Sequence, residues 1–270
     1  MRPPGYYARG TAYLLNRWLL GRRHLVARAR LLGMRFRFRT PDVVGRHIYK
    51  FGLHEPELTD WLVQNLRPVP GDVLLDVGAN LGWFTVLFDR LSPDGVAIHA
   101  FEPDPVNFDL LSHNLRLNGT HSVTAHRVAV AEEAGTATLH LYDDRNRGKH
   151  SLLPIVDRGG VTVSTVDLDG FLETEGIDPG RIRLVKMDVE GFEYQVLRGM
   201  PRLLEQVPVV LCELLPKYLA KVGRDPRDLL DLLFSAGLHP FYLGAEGPIP
   251  ADRDELAASS GRSDLLWLRQ

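Results

Sequence analysis

Apolar residues change period along this chain. Leu58, Trp61, Leu62 and Leu66 recur three and four apart over 55–67, which predicts an amphipathic helix. Pro68 and Pro70-Gly71 stop it. Short apolar runs then alternate with helix-period stretches: strand 72–77, helix 81–91, strand 96–101, helix 105–118 and strand 123–128. The pattern shifts to period two over 136–141 and 161–166, as in strands with one face in water, with a polar loop over 143–151 between them. Strand–helix order returns with strand 183–188, helix 191–204, strand 208–213, helix 226–236 and strand 238–243, and a strand over 264–269 closes the chain. The expected product is an α/β fold, a Rossmann-like doubly wound sheet with an inserted antiparallel strand pair. Ligands in such sheets bind beyond the carboxyl ends of the strands, where strand order reverses. Asp76, Glu102, Ala129 and Asp188 fall at or just past predicted strand ends, so one rim should hold all four.

The stretch Leu74-Leu75-Asp76-Val77-Gly78-Ala79-Asn80-Leu81-Gly82-Trp83-Phe84 is a buried strand, a glycine turn and a helix start. Glu102 ends the next strand, 24 positions after Gly78, a distance at which a carboxylate can bind both hydroxyls of a ribose. The loop is Asp-x-Gly-x-Asn-x-Gly, without the tight Gly-x-Gly-x-x-Gly turn that a dinucleotide pyrophosphate needs. Asp76 repels a bulky anion and favours a cationic cofactor with an amino group. S-adenosylmethionine fits that description, and an NAD-dependent dehydrogenase does not.

Composition adds a charge asymmetry. The chain has 270 residues, 44% hydrophobic and 24% charged, enough for one large α/β domain and an appendage. Its net charge of −2 divides unevenly: residues 1–50 hold 12 Lys/Arg and one acid, a net of +11, and the remainder carries −13. We therefore expect a basic, partly helical N-terminal arm over 1–50 and the main domain over 51–270. The arm either meets an anionic partner or packs on the acidic body of its own chain. Its apolar cluster, Tyr13, Leu14, Leu15, Trp18, Leu19 and Leu20, is too short to span a bilayer and lacks the features of a secretory signal. An amphipathic helix on a membrane surface is one option. The single cysteine, Cys212, lies in an apolar run and excludes an internal disulfide framework. A cytoplasmic protein is expected, with peripheral contact at the inner membrane face as an option for the arm.

The chain resembles the FkbM family of S-adenosylmethionine-dependent methyltransferases. The resemblance rests on Leu75–Gly82, Phe101-Glu102-Pro103, Asn114–Asn118, Val166–Asp169, and Lys186-Met187-Asp188-Val189-Glu190-Gly191-Phe192-Glu193, followed by Val196–Gly199 and Glu213, all in one order over about 55–243. It implies a class I methyltransferase fold and O-methylation of a small molecule, often a sugar or natural-product hydroxyl. Carried over by position, Asp76, Gly78 and Asn80 line the methionine part of the cofactor, and Glu102 holds the ribose. Phe101 and Pro103 shape the adenosine edge, Val128 and Ala129 flank the adenine, and Asp188 faces the methyl group and acceptor.

Lys186, Asp188 and Glu190 alternate, so an extended segment points them to one side, and Glu213 ends the neighbouring strand. Acids and a lysine converging on one rim are costly unless paired or solvated, which marks an acceptor site. Hard oxygen ligands at Asp188, Glu190 and Glu213 suit magnesium. No histidine or asparagine completes such a set, so no metal is expected. The polar loop is the other candidate. Asn146, Lys149 and Ser151 are placed on the acceptor there, with Arg145 and Arg147 able to hold an anionic one, and His150 has a suitable pKa for a base. Asp188 is the first choice of base, His150 the second, and Lys186 completes the catalytic set. Aligned attack of a hydroxyl on a sulfonium methyl gains roughly 7–11 kcal/mol from positioning, against about 10²–10⁴-fold from a base. The alternatives are an RNA methyltransferase, disfavoured because an acidic rim repels phosphates, and a non-catalytic membrane-attached scaffold with a relic fold.

Overall fold

The computed structural model describes residues 5–143, 146–154, 158–244 and 246–270. Helix α1 (Tyr6–Leu14) runs into one π-helical turn over Leu15–Leu19, and a hairpin of β1 (His24–Arg28) and β2 (Arg35–Arg39) follows. Next come α2 (Val43–Phe51), α3 (Pro56–Asn65), β3 (Val73–Val77), α4 (Trp83–Leu91), β4 (Ala97–Phe101), α5 (Pro105–Asn118) and β5 (Val123–His126). β6 (Ala129–Val130), β7 (Gly135–His140) and β8 (Gly160–Val166) make a small separate sheet. The chain continues through α6 (Leu168–Glu175), β9 (Ile182–Met187), α7 (Glu193–Arg198), α8 (Pro201–Leu204), β10 (Val209–Leu214) and α9 (Pro216–Lys221). It ends with α10 (Pro226–Ser235), β11 (Leu238–Gly244), β12 (Gly247–Pro250), α11 (Arg253–Ala258) and β13 (Ser263–Arg269).

The main sheet runs β12-β11-β13-β10-β9-β3-β4-β5. β5, β4, β3, β9 and β10 are parallel, and β13 inserts antiparallel between β10 and β11. Strand order reverses between β3 and β9, so the crevice of this doubly wound sheet opens there. Central strands are continuous apolar runs because both faces are covered. Leu75, Val185, Cys212 and Leu265 enter one core, and their chain neighbours Leu74, Leu184, Leu211 and Leu266 enter the other, as a two-residue side-chain period requires.

The basic segment is helical over α1 and α2, and it holds a hairpin that the charge count obscured. Arg35-Phe36-Arg37-Phe38-Arg39 alternates strictly, with Phe36 and Phe38 buried. Leu25, Ala27, Phe36, Phe38 and Ile48 join the same core as Leu74 and Phe84, so the core runs across position 50. Helix α5 holds the hairpin edge through two asparagines. Asn114 Oδ1 accepts from Arg37 N–H at 2.7 Å and Asn118 Oδ1 from Arg35 N–H at 2.9 Å, while their Nδ2 groups donate to the carbonyls of the same arginines. Four helical residues advance about 6 Å and two strand residues about 6.6 Å, so the two amides stand in for a neighbouring strand.

The expected helix over 191–204 is two short helices, parted at Gly199-Met200 ahead of Pro201. A Cβ at Gly199 would lie 2.1 Å from the Ala131 carbonyl oxygen. The strand expected over 123–128 ends at His126, and Ala129-Val130 leave the main sheet to pair with β8. α9, β12 and α11 have no counterpart among the sequence expectations.

Candidate active site

A cavity of about 580 Å³ lies beyond the carboxyl ends of β3, β4 and β9. The turn after β3 builds one wall. Gly78 sits at φ +78°, and a Cβ there would lie 2.0 Å from the Asp188 carbonyl oxygen, so only glycine fits. The N–H groups of Gly78 and Ala79 both donate to Phe101 O at 3.0 Å. Asn80, at φ +52°, donates its backbone N–H to Glu102 Oε2 at 2.8 Å, and Asp104 N–H reaches Glu102 Oε1 at 2.9 Å. Burial pushes the Glu102 pKa up to about 8, against the opposing pull of those two N–H groups. Gly78, Asn80, Phe101, Glu102, Pro103, Val128, Ala129 and Asp188, eight residues expected at the cofactor, all line this cavity.

Asp76 does not. Its side chain is fully buried behind the wall, accepting from Thr85 Oγ1 at 2.5 Å with Lys186 Nζ at 3.7 Å from its other oxygen. Strand β3 turns this side chain towards α4 and β9, away from the cavity, which corrects its expected contact with the methionine part. Lys186 Nζ is also 3.6 Å from Asp188 Oδ2 and lies over the Phe84 ring. Burial alone would lower the lysine pKa, but Asp188 and Asp76 overcome it and hold the pKa above its usual value. Lys186 therefore stays a cation and positions Asp188, and it is not a base.

A second cavity, about 360 Å³, lies on the other side of Asp188, which lines both. Glu55, Lys186, Glu213 and Asp264 line it, with Leu58, Leu211 and Leu243 among the apolar walls. Burial, then the Asp188 charge, raises the Glu55 pKa to about 7. Glu213 is ion-paired with Arg262. Burial and the nearby Asp188 and Glu193 still drive its pKa well up. Glu55, Asn80 and Glu190 are three of the four non-glycine residues with positive φ among those described, so backbone strain collects at this rim.

The alternation expected of Lys186, Asp188 and Glu190 breaks at Glu190, whose φ of +52° ends the extended run. Glu190 and Lys149 line a different groove, beside Tyr218 and Arg262. Glu190 thus lies apart from the cavity that Asp188 and Glu213 share, and no group of three or more His, Cys, Asp or Glu among the described residues is arranged to hold a metal.

The polar loop serves mainly to close the first cavity. His150 Nδ1 lies 3.0 Å from Asp104 Oδ2, and Arg147 binds the same carboxylate at 2.6 Å. Asp104 also caps α5 by accepting from Val106 and Asn107 N–H. Burial works against it, but these bonds hold its carboxyl far below the ordinary range. Ser151 lines the cavity and donates to Val189 O at 3.4 Å. Lys149 lies over the Tyr142 ring. The Asn146 side chain lines neither cavity, and its backbone closes the turn by bonding Asp143 O. Arg145 falls outside the described residues.

The sequence reading missed Glu55, Asp264 and Arg262, since only the insertion of β13 and the approach of α3 bring them to the rim. Asp104 had a local signal, the Asp-Pro start of α5.

Residues 76–239 match the family model described as methyltransferase FkbM domain. The hexuronic acid methyltransferase AglP of Haloferax volcanii is 32% identical over 168 residues, 62% of this chain and 63% of that protein. The 31-O-demethyl-FK506 methyltransferase FkbM of Streptomyces tacrolimicus is 35% identical over 163 residues, 48% of this chain and 60% of that one. The chain thus spans under two thirds of the length of these two relatives. A crystal structure of methyltransferase FkbM from Methylobacillus flagellatus overlays with TM-score 0.45 at 18% identity, covering 83% of this chain and 53% of that one. With the matched model covering more than half of its residues, this chain belongs to the FkbM methyltransferase family.

Proposed function

We propose that this protein moves the methyl group of S-adenosylmethionine to a hydroxyl oxygen of a small, uncharged, hydroxyl-rich acceptor. The observation that carries this is the pair of cavities meeting at Asp188. The first fits the cofactor chemically. Glu102 presents its carboxyl group to a ribose, Gly78 lets the backbone come close, and Arg147, which lines the cavity, is paired with Asp104. The cofactor, when bound, supplies an electrophilic methyl group on a sulfonium. Asp188, tied by Lys186, holds its carboxylate at the boundary between the two cavities.

The second cavity suits the acceptor. It sets Glu55, Glu213 and Asp264 around an apolar wall of Leu58, Leu211 and Leu243. Its carboxylates accept hydroxyl hydrogens, and they disfavour a uronate or phosphate. Of the cations expected to hold an anionic acceptor, the two described are engaged elsewhere, Arg147 on Asp104 and Lys149 over Tyr142. One relative is named for an O-demethylated natural product, which supports a hydroxyl acceptor, and another for a hexuronic acid, an anionic class that the acceptor panel must include. Glu55 is the better proton acceptor. Its pKa of about 7 matches a neutral working pH, whereas the Asp188 carboxylate is engaged by the Lys186 ammonium.

The test is methyl transfer from labelled S-adenosylmethionine to a panel of neutral glycosides, polyols, uronates and RNA. Transfer to a neutral hydroxyl is expected, with a rate that climbs with pH through about 7, and Glu55→Gln should remove that limb. Transfer to RNA, or to anionic acceptors in preference, would overturn the proposal.

A further inference from the structure

The N-terminal segment carries an apolar surface and a cationic surface that methyl transfer does not use. Tyr13 is buried, and its hydroxyl donates to Thr40 O, which fixes one side of α1 against the body. Past that anchor, Leu14, Leu15, Trp18, Leu19 and Leu20 stand in water, Trp18 72% and Leu19 75% exposed. Five large apolar side chains in seven residues form a patch of the kind that marks an interaction site.

Cations surround this patch. The Arg17 guanidinium lies over the Trp18 ring, and exposed Arg22 and Arg23 follow at once. The outer face of the hairpin carries His24, Arg28, Arg35, Arg37 and Arg39 around an exposed Val26. Between hairpin and α5 runs a groove of about 950 Å³ lined by His24, Arg37, His113 and Arg116. Burial, then the neighbouring arginines, lowers both histidine pKa values. Asp109 is its one acidic lining residue.

We infer that residues 14–20 insert into the interfacial layer of an anionic lipid bilayer, with Arg17, Arg22, Arg23 and the groove cations against its phosphates. Stable peripheral attachment needs two signals, an apolar insertion and a basic patch, and this segment has both. A second copy is a poor occupant, since it would set one +11 segment against another. RNA answers the cations and leaves the five apolar side chains in water. A spanning mode is not available: no helix among the described residues is long and apolar enough.

The test is co-sedimentation of the full chain with phosphatidylcholine vesicles, with and without about one third phosphatidylglycerol. Anionic vesicles should bind about tenfold or more tightly, with loss at high salt. Trp18 fluorescence should shift to the blue on binding, and Trp18→Phe should remove that shift. Leu19→Ser with Leu20→Ser, and Arg22→Glu with Arg23→Glu, should each weaken vesicle binding about tenfold and leave cofactor affinity unchanged. Equal binding to neutral and anionic vesicles would overturn the inference. So would unchanged binding in the Leu19/Leu20 variant, displacement of the protein from vesicles by RNA, or a vesicle-free dimer abolished by Leu19→Ser.

Discussion

Gly78 and Asp188 show how narrowly this site is built. With the backbone at φ +78° and the Asp188 carbonyl where a Cβ would stand, Gly78→Ala forces the turn off β9. A left-handed non-glycine residue alone costs of order 1–3 kcal/mol, so a lower Tm and loss of cofactor affinity are expected together. Asp188→Asn should separate the two functions. The side chain is part-exposed at the boundary, with Lys186 as its partner, so turnover should fall by about 10²-fold through lost positioning while cofactor affinity changes little. A large loss of cofactor affinity would assign Asp188 to the cofactor cavity alone. The turn from Asp76 to Gly82 was legible because its signals are consecutive residues. What Asp76 does was not: a sequence gives the alternation of a strand but not which neighbours cover each face, and Thr85 and Lys186 cover this one.

At the scale of elements, Asn114 and Asn118 decide how the basic hairpin sits. Each amide bonds the N–H and C=O of one arginine of β2. Replacing either with Ala leaves backbone groups without a partner, at a cost of about 1–3 kcal/mol. Hydrogen exchange should speed up in β1 and β2 before the main sheet, and exchange that stays uniform would argue against this attachment. The parallel strands β3, β4, β9 and β10 were legible because burial on both faces writes them as apolar runs. The hairpin was obscured because four arginines and a histidine occupy its outer positions. The break between α7 and α8 arises where Gly199 meets Ala131, a contact between segments nearly seventy residues apart.

At the scale of the whole molecule, stability should depend on pH in an unusual direction. Burial raises Glu55 and Glu193 to about 7 and Glu102 to about 8, and it lifts Glu190 to about 7 with help from Asp188. The folded chain keeps protons that the unfolded chain releases near 4.5, so stability falls as pH rises from about 4.5 to about 8. Asp104 acts in the opposite sense: its low folded pKa contributes stability above the ordinary Asp pKa near 3.9 that is lost as pH falls below it. Tm should therefore be higher at about pH 7 than at about pH 8.5, above the range in which buried His54, lowered to about 4, pulls the other way, and Glu102→Gln should flatten part of that slope. A Tm that climbs across this interval would refute the buried-acid account.

Calorimetric titration of the purified protein with S-adenosylmethionine reads out whether the turn after β3 and Glu102 hold that cofactor. Wild type should bind with a Kd of about micromolar order. Glu102→Ala, with its fold verified by thermal unfolding, should bind at least about thirtyfold more weakly, a loss of roughly 2 kcal/mol in keeping with two lost hydrogen bonds to the ribose. A folded wild-type protein that gives no heat of binding, or a variant with unchanged affinity, would contradict the account.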